Sequence, residues 1–145
     1  MNDVGAWLRG VLGRRLDGVV EARHWFRGRR DEDAASLIHA WLYFEGAGPV
    51  LLHGCGEQLE VADGEPYAPY DMQEAGETRV GPAQPPDLLA GFVGAMLVDG
   101  SVIIGYDGVC GGLRLRFDRG DLVLGSLGDD WYLSEGEMPA GWRTA

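Results

Sequence analysis

Lysine is absent from this chain, and all 12 of its basic side chains are arginine. A phosphate loop of the G-x-x-x-x-G-K-[ST] type needs a lysine to reach the phosphates, so that nucleotide site is excluded. The exclusive use of arginine points to a GC-rich bacterial coding sequence rather than to a mechanism. Cysteine is scarce, with Cys55 and Cys110 alone. They read as two reduced, partly buried thiols in a cytosolic chain. No apolar run approaches the length needed to span a bilayer, so no membrane association is expected. The opening MNDVGAWLRGVLGRRL lacks a basic start, a clean apolar core and a cleavage site. No secretory signal is expected, and the cytoplasm is the expected compartment.

Histidine is limited to His24, His39 and His53. They fall one to a predicted strand, and nothing in their spacing matches a zinc signature. His39 and His53 become neighbours in one register only. No metal and no cofactor is expected. Catalytic signals are equally thin. Cys55 and His53 lie two residues apart beside Gly54 and Gly56, which suits a buried thiol at a bulge better than a nucleophile with its base. Asp129 and Asp130 are adjacent, so on a strand they point opposite ways and make a poor acid/base pair. No catalytic residue is assigned, and the chain is expected not to be an enzyme.

What the chain does have is size, apolar content and acid. Its 145 residues suit one domain, 1–145, with 46% hydrophobic and 24% charged residues. A domain of this length buries roughly 70% of the surface its unfolded chain exposes, so it needs no metal or disulfide staple. The net charge is −11. Seven arginines lie within residues 1–30, whereas the interval from Arg30 to Arg79 has no basic residue and eleven carboxylates. Such a surface repels nucleic-acid phosphates and attracts basic partners.

A stretch near the C-terminus, Leu113–Leu133 (LRLRFDRGDLVLGSLGDDWYL), has an earlier counterpart in Trp41–Val61 (WLYFEGAGPVLLHGCGEQLEV). Phe44 matches Phe117, Val50-Leu51-Leu52 matches Leu122-Val123-Leu124, Gly56-Glu57 matches Gly128-Asp129, and Val61 matches Leu133. Upstream, Gly10–Val20 aligns with Gly91–Ile103 through the shared Asp-Gly at 17–18 and 99–100. The reading is a diverged duplication. Repeat one spans about 2–62, a Pro/Gly/acidic connection spans 63–86, repeat two spans about 87–134, and a tail covers 135–145. Each repeat is expected to be a helix followed by a four-strand meander. The fold class is then α+β: a single domain, predominantly antiparallel sheet, with two short helices.

The first helix is placed at Val4–Leu12, where Val4, Trp7, Leu8, Val11 and Leu12 form one apolar stripe. Asn2 or Asp3 caps it, and Gly13 ends it. The second is placed at Asp87–Val93; the rival reading is a hairpin turning at Asp99-Gly100. Strands are expected at Val19–Phe26, Leu37–Glu45, Val50–His53, Glu57–Val61, Ser101–Tyr106, Leu113–Phe117 and Trp131–Leu133. In Leu37–Glu45, the face of Ile38, Ala40, Leu42 and Phe44 is assigned to the core. A turn at Arg119-Gly120 pairs Phe117 with Leu122 and Leu115 with Leu124. Arg27–Ala35 reads as a charged turn. Residues 63–86 read as surface structure with a short edge strand at Glu77–Val80.

The functional expectation is a non-enzymatic binding module that offers an acidic, aromatic-bearing surface to a basic protein. Candidate partner-binding residues are Glu57, Glu65, Tyr67, Tyr70, Asp71, Glu74, Glu77, Asp129, Asp130 and Trp131. In size, charge and want of catalytic signals the chain resembles the immunity proteins that neutralise basic toxin domains, and the resemblance implies a toxin-like partner. Two alternatives stand beside it: a small hydrolase or ligand-binding protein with a pocket between the repeats, and a homodimeric structural module.

Overall fold

Strand β1 (Leu16–Trp25) carries the logic of the architecture, because its two faces meet different company. It is an inner member of a six-stranded antiparallel sheet in the order β4-β3-β2-β1-β6-β5. The other strands are β2 (Leu37–Phe44), β3 (Val50–Cys55), β4 (Gln58–Asp63), β5 (Tyr70–Asp71) and β6 (Glu77–Pro82). A second antiparallel sheet has five strands, in the order β10-β9-β8-β7-β11. It comprises β7 (Leu97–Ile104), β8 (Cys110–Phe117), β9 (Gly120–Leu127), β10 (Asp130–Ser134) and β11 (Arg143–Thr144). The computed structural model describes Met1 and residues 3–145. It is an α+β fold of two sheets that share one core. Among these residues no helix is long and apolar enough to cross a membrane.

Helix α1 (Val4–Val11) forms as its apolar stripe predicts, with the Asp3 Oδ1 accepting from the Ala6 amide at 3.0 Å. The alternative cap, Asn2, lies outside the described residues. Gly13 takes the left-handed conformation (φ 79°) that ends the helix. Leu8 and Val11 enter the core, but Leu12 does not. At Leu12 the backbone is already extended, so its side chain leaves the helical stripe and stays exposed.

The two sheets meet through their inner faces. Leu16, Val19, Leu42, Phe44, Val50, Leu52, Leu59 and Val61 from one pack with Leu97, Leu113, Leu115, Phe117, Leu122 and Leu124 from the other. Each fully buried leucine contributes roughly 2 kcal/mol relative to exposure. At the centre the Phe44 and Phe117 rings lie parallel, 6.5 Å apart, flanked by Trp7 and Phe92. Where β1 and β7 begin, the sheets are tied by backbone bonds. Gly13 N donates to Leu97 O (2.8 Å) and Leu97 N to Arg14 O (2.9 Å). Gly94 N donates to Leu16 O (2.7 Å) and Leu16 N to Ala95 O (2.8 Å). Exchanging Gly13 with Gly94, Arg14 with Ala95 and Leu16 with Leu97 maps each bond onto another. Both strands also break register immediately afterwards, β1 opposite Phe44 and β7 opposite Phe117.

Several expectations are corrected. The helix expected at Asp87–Val93 is a 3-10 turn, Leu88–Phe92, in which Gly91 weakens any longer α-helix. The second short α-helix, α2 (Asp33–Ser36), begins instead within the predicted charged turn and runs one residue past it. Asp99-Gly100 does not turn a hairpin but sits at a register shift inside β7. The β8–β9 hairpin is tighter than expected: Phe117 pairs with Gly120, Leu115 with Leu122 and Leu113 with Leu124. A two-residue turn at Asp118-Arg119 moves the register by two, which keeps the four leucines on one face. Residues 77–82 form not an edge strand but a strand between β1 and β5. Cys55 is exposed rather than buried, and Cys110 is half-buried, its thiol pushed up by burial; both are free.

Candidate functional site

The outer face of the six-stranded sheet is where the acid-rich connection lands. Alternation along β2 sends His39, Trp41 and Tyr43 outward, opposite Leu42 and Phe44. Segment 63–76 is laid across this face. Tyr67 packs edge-on against Trp41 (5.0 Å) and His39 (5.6 Å) and touches Tyr70 (5.8 Å). Under this cover Trp41, Ala22 and Thr78 are buried, and the Thr78 hydroxyl bonds the Met72 sulfur at 3.1 Å. The segment is anchored at both ends of its span. Tyr67 Oη meets His39 Nδ1 at 2.6 Å, and the His24 ring Nε2 meets Ala75 O at 2.6 Å. Burial, reinforced by the neighbouring Tyr70, pushes the Tyr67 phenol up to about 12.

The strand register adds a second link. His39 and His53 are directly opposed on β2 and β3, and His39 Nε2 lies 2.7 Å from His53 Nδ1. Burial holds the His39 imidazole below its ordinary range, and the proximity of His53 acts in the same direction. His24 is not part of this group, bonding the 73–75 turn instead. His53 and Cys55 share a strand, but Cys55 faces solvent without a hydrogen bond to either histidine.

The candidate partner-binding residues fall into two groups. Glu65, Tyr67, Tyr70, Asp71, Glu74 and Glu77 lie on the covering segment or its exit into β6. Of these, Glu65, Tyr70, Asp71 and Glu74 are exposed, Tyr67 is held in the cover, and Glu77 bonds Arg79 at 2.8 Å. Glu57, Asp129, Asp130 and Trp131 lie where the β3–β4 and β9–β10 turns meet. There Asp129 Oδ1 accepts from Gly56 N, and Asp129 N donates to Gly56 O at 2.9 Å. The Glu57 carboxylate keeps one buried oxygen without a partner. Trp131 is half-buried, and its Nε1 donates to Ile38 O at 3.2 Å. Strand order sets the groups apart, since β4 and β5 are opposite edges of one sheet.

Sequence reasoning missed a buried ionic cluster on the inner face of β1. Beyond Val19 that face continues with Glu21 and Arg23, both buried. Arg23 donates two bonds to the Glu21 carboxylate (3.1 and 2.9 Å), and others to Asp33 Oδ1 (2.6 Å) and Ser36 (2.9 Å). Arg30 grips Asp87 with both contacts at or below 2.7 Å. Burial pushes the Glu21 carboxyl up, against the opposing pull of Arg23. A hollow of about 420 Å³ lies alongside, lined by these groups with Trp25, Arg79 and Pro82. The charged atoms are spent on one another, so the cluster fastens α2 and the 88–92 turn onto β1. Its one legible signal is a pair of charges two residues apart at core parity; Asp33 and Asp87 arrive from distant sequence.

Compared with known proteins, the chain matches no family model, no curated protein sequence and no solved structure. Its class therefore rests on architecture: an α+β fold of two antiparallel sheets, one of them roofed by an acid-rich segment.

Proposed function

We propose that the chain is a non-enzymatic protein-binding module whose acidic cover engages a basic protein, in the manner of an immunity protein against a toxin domain. One observation carries the reading. Asp63, Glu65, Asp71 and Glu74 are exposed on or beside a segment anchored through His39 and His24, and among the described residues none forms an ion pair. Carboxylates outside any ion pair on an ordered surface steer a cationic partner and break no salt bridge when it arrives. Exposed Tyr70 offers the apolar contact beside them. The cytoplasm remains the proposed compartment, and nucleic acid remains disfavoured on charge.

Where the neighbouring gene encodes a basic domain, the test is its association rate with this chain, followed by stopped flow. Raising salt from about 50 to 300 mM slows association roughly tenfold or more if steering operates. Reversing Asp71, Glu74 and Glu77 together removes most of that salt dependence. A salt-independent rate, or an unaffected triple variant, overturns the reading.

We also infer that an ancestral unit was duplicated, supported by the exchangeable bonds at Gly13–Leu16 and Gly94–Leu97 and by the stacked Phe44 and Phe117. The rings and leucines clustered between the meanders favour the binding reading over a ligand pocket between the repeats. Self-association is the second reading. Leu12, Met96 and Val98 are exposed around the Gly13–Leu97 junction, and sedimentation at rising concentration tests it.

A further inference from the structure

The pair His39–His53 is arranged for more than holding the cover. Tyr67 Oη engages the Nδ1 of His39, so the Nε2 of that ring is directed along the other axis, toward His53 Nδ1. With a proton on His39 Nδ1, donated to the phenol oxygen, the Nε2 presents a lone pair. With a proton on His53 Nε2, its Nδ1 presents a second lone pair to the same point. Two converging imidazole lone pairs, one of them oriented by an oxygen on the far ring nitrogen, are the arrangement through which proteins hold zinc and copper.

The surroundings favour a cation. Glu60 stands directly opposite His53 on β4, on the same outward face, exposed and in no ion pair among the described residues. No arginine occurs between Arg30 and Arg79, so β2, β3, β4 and the cover bring none to this face. The ring of His39 is braced by Trp41 at 6.1 Å and by Tyr67, so little motion is left to freeze on binding. Metal–nitrogen bonds of about 2.0–2.1 Å in tetrahedral geometry separate the two nitrogens by about 3.3 Å, a few tenths more than the present 2.7 Å.

We propose that His39 and His53 form an open divalent transition-metal site that takes Zn²⁺ or Cu²⁺ between His39 Nε2 and His53 Nδ1. Each ring keeps one N–H: the proton that bridges the two rings is carried by His53, moves from its Nδ1 to its Nε2 when the metal enters, and none is lost to solvent. Tyr67 positions His39 and does not ligate. Among the described residues no third His, Cys, Asp or Glu side chain closes on the pair, so the remaining positions belong to water or to a partner's side chain.

The experiment titrates the full chain at pH 7 with ZnCl₂ and separately with CuCl₂ by calorimetry in two buffers of different ionisation enthalpy. One saturable equivalent is expected, with the same binding heat in both buffers because the rings lose no proton. His53→Gln weakens it at least tenfold, Tyr67→Phe weakens it severalfold, and His24→Gln leaves it unchanged. Circular dichroism reports whether each variant folds. Nitrogen hyperfine splitting from two imidazoles in the wild-type Cu²⁺ spectrum provides a readout that needs no variant. Absence of saturable binding, binding that survives His53→Gln, or binding lost in His24→Gln overturns the proposal.

Discussion

Each sheet has its outer face covered by the chain that follows its meander, but the two covers are attached by opposite chemistry. On the first sheet the row across the strands reads Ala22, His39, His53, Glu60. At the same register positions on the second it reads Ile103, Gly112, Gly125, Tyr132. Two histidines in one row stand where two glycines stand in the other. His39 receives Tyr67 on one ring nitrogen and His53 on the other. The glycines leave a slot in which Trp142 lies buried with Ile103 and Val123, edge-on to Tyr132 at 5.6 Å. The C-terminal cover is then extended by the pairing of β11 with β7. A cover on this scaffold can thus be centred on a packed indole, with the Tyr132 and Ser134 hydroxyls donating to Glu137 O at its edge. The histidine row of the first sheet has no counterpart on the second, and the proposed metal site lies there.

The largest effect is expected at Trp142. Trp142→Ala removes a buried indole that glycines cannot collapse onto, costing about 3–5 kcal/mol, and urea unfolding measures it. Gly125→Ala follows. A Cβ there overlaps the Gly111 carbonyl oxygen and the Trp142 ring, so a loss of about 2–3 kcal/mol is expected in the same assay. If the C-terminal cover were no better packed than its counterpart, both losses would stay below about 1 kcal/mol.

On the first sheet the losses are smaller and depend on pH. Tyr67→Phe deletes one hydrogen bond and is expected to cost about 1 kcal/mol. The pH effect has a definite sign. Unfolded His39 takes up its proton near the ordinary value of 6.5, while the folded ring, held lower by burial and His53, takes it up only at more acidic pH. Over that interval the unfolded chain binds more protons, so stability declines as pH falls from about 6.5 through the folded value. His39→Asn flattens this part of a stability–pH curve, whereas Trp142→Ala leaves its shape intact. A curve unchanged by His39→Asn would remove the titrating contrast between the covers. The smallest stability effect is expected from Asp71→Asn with Glu74→Gln, within about 0.5 kcal/mol, because both side chains are exposed. Their effect belongs to association rate.

Much of the framework was legible from local pattern. Leu113, Leu115 and Phe117 alternate with Arg114 and Arg116, and they lie in the core as that alternation requires. Ala40, Leu42 and Phe44 lie in the core as assigned, but a register shift opposite Ile38 leaves that residue half-buried and buries Leu37, and Trp41 on the opposite face is just as buried. That burial was not legible, since it depends on a segment more than twenty residues away folding back over β2. The β8–β9 register was misplaced by two residues because parity constrains which face a side chain takes, not how tight a turn is. The candidate acids were identifiable as a charge run, but their division into two groups follows from strand order.

By itself the sequence determined which residues face inward in the plainly alternating strands, where α1 starts and stops, and that acid would crowd the middle third of the chain. Those are local matters: side-chain direction follows backbone periodicity, and an Asp or a Gly acts on the residues next to it. Only the tertiary structure decided that Tyr67 would roof one sheet and Trp142 the other, and that His39 would meet His53. Such contacts depend on register and on distant segments closing over a finished sheet, and no stretch of sequence encodes them until the strands beneath have paired.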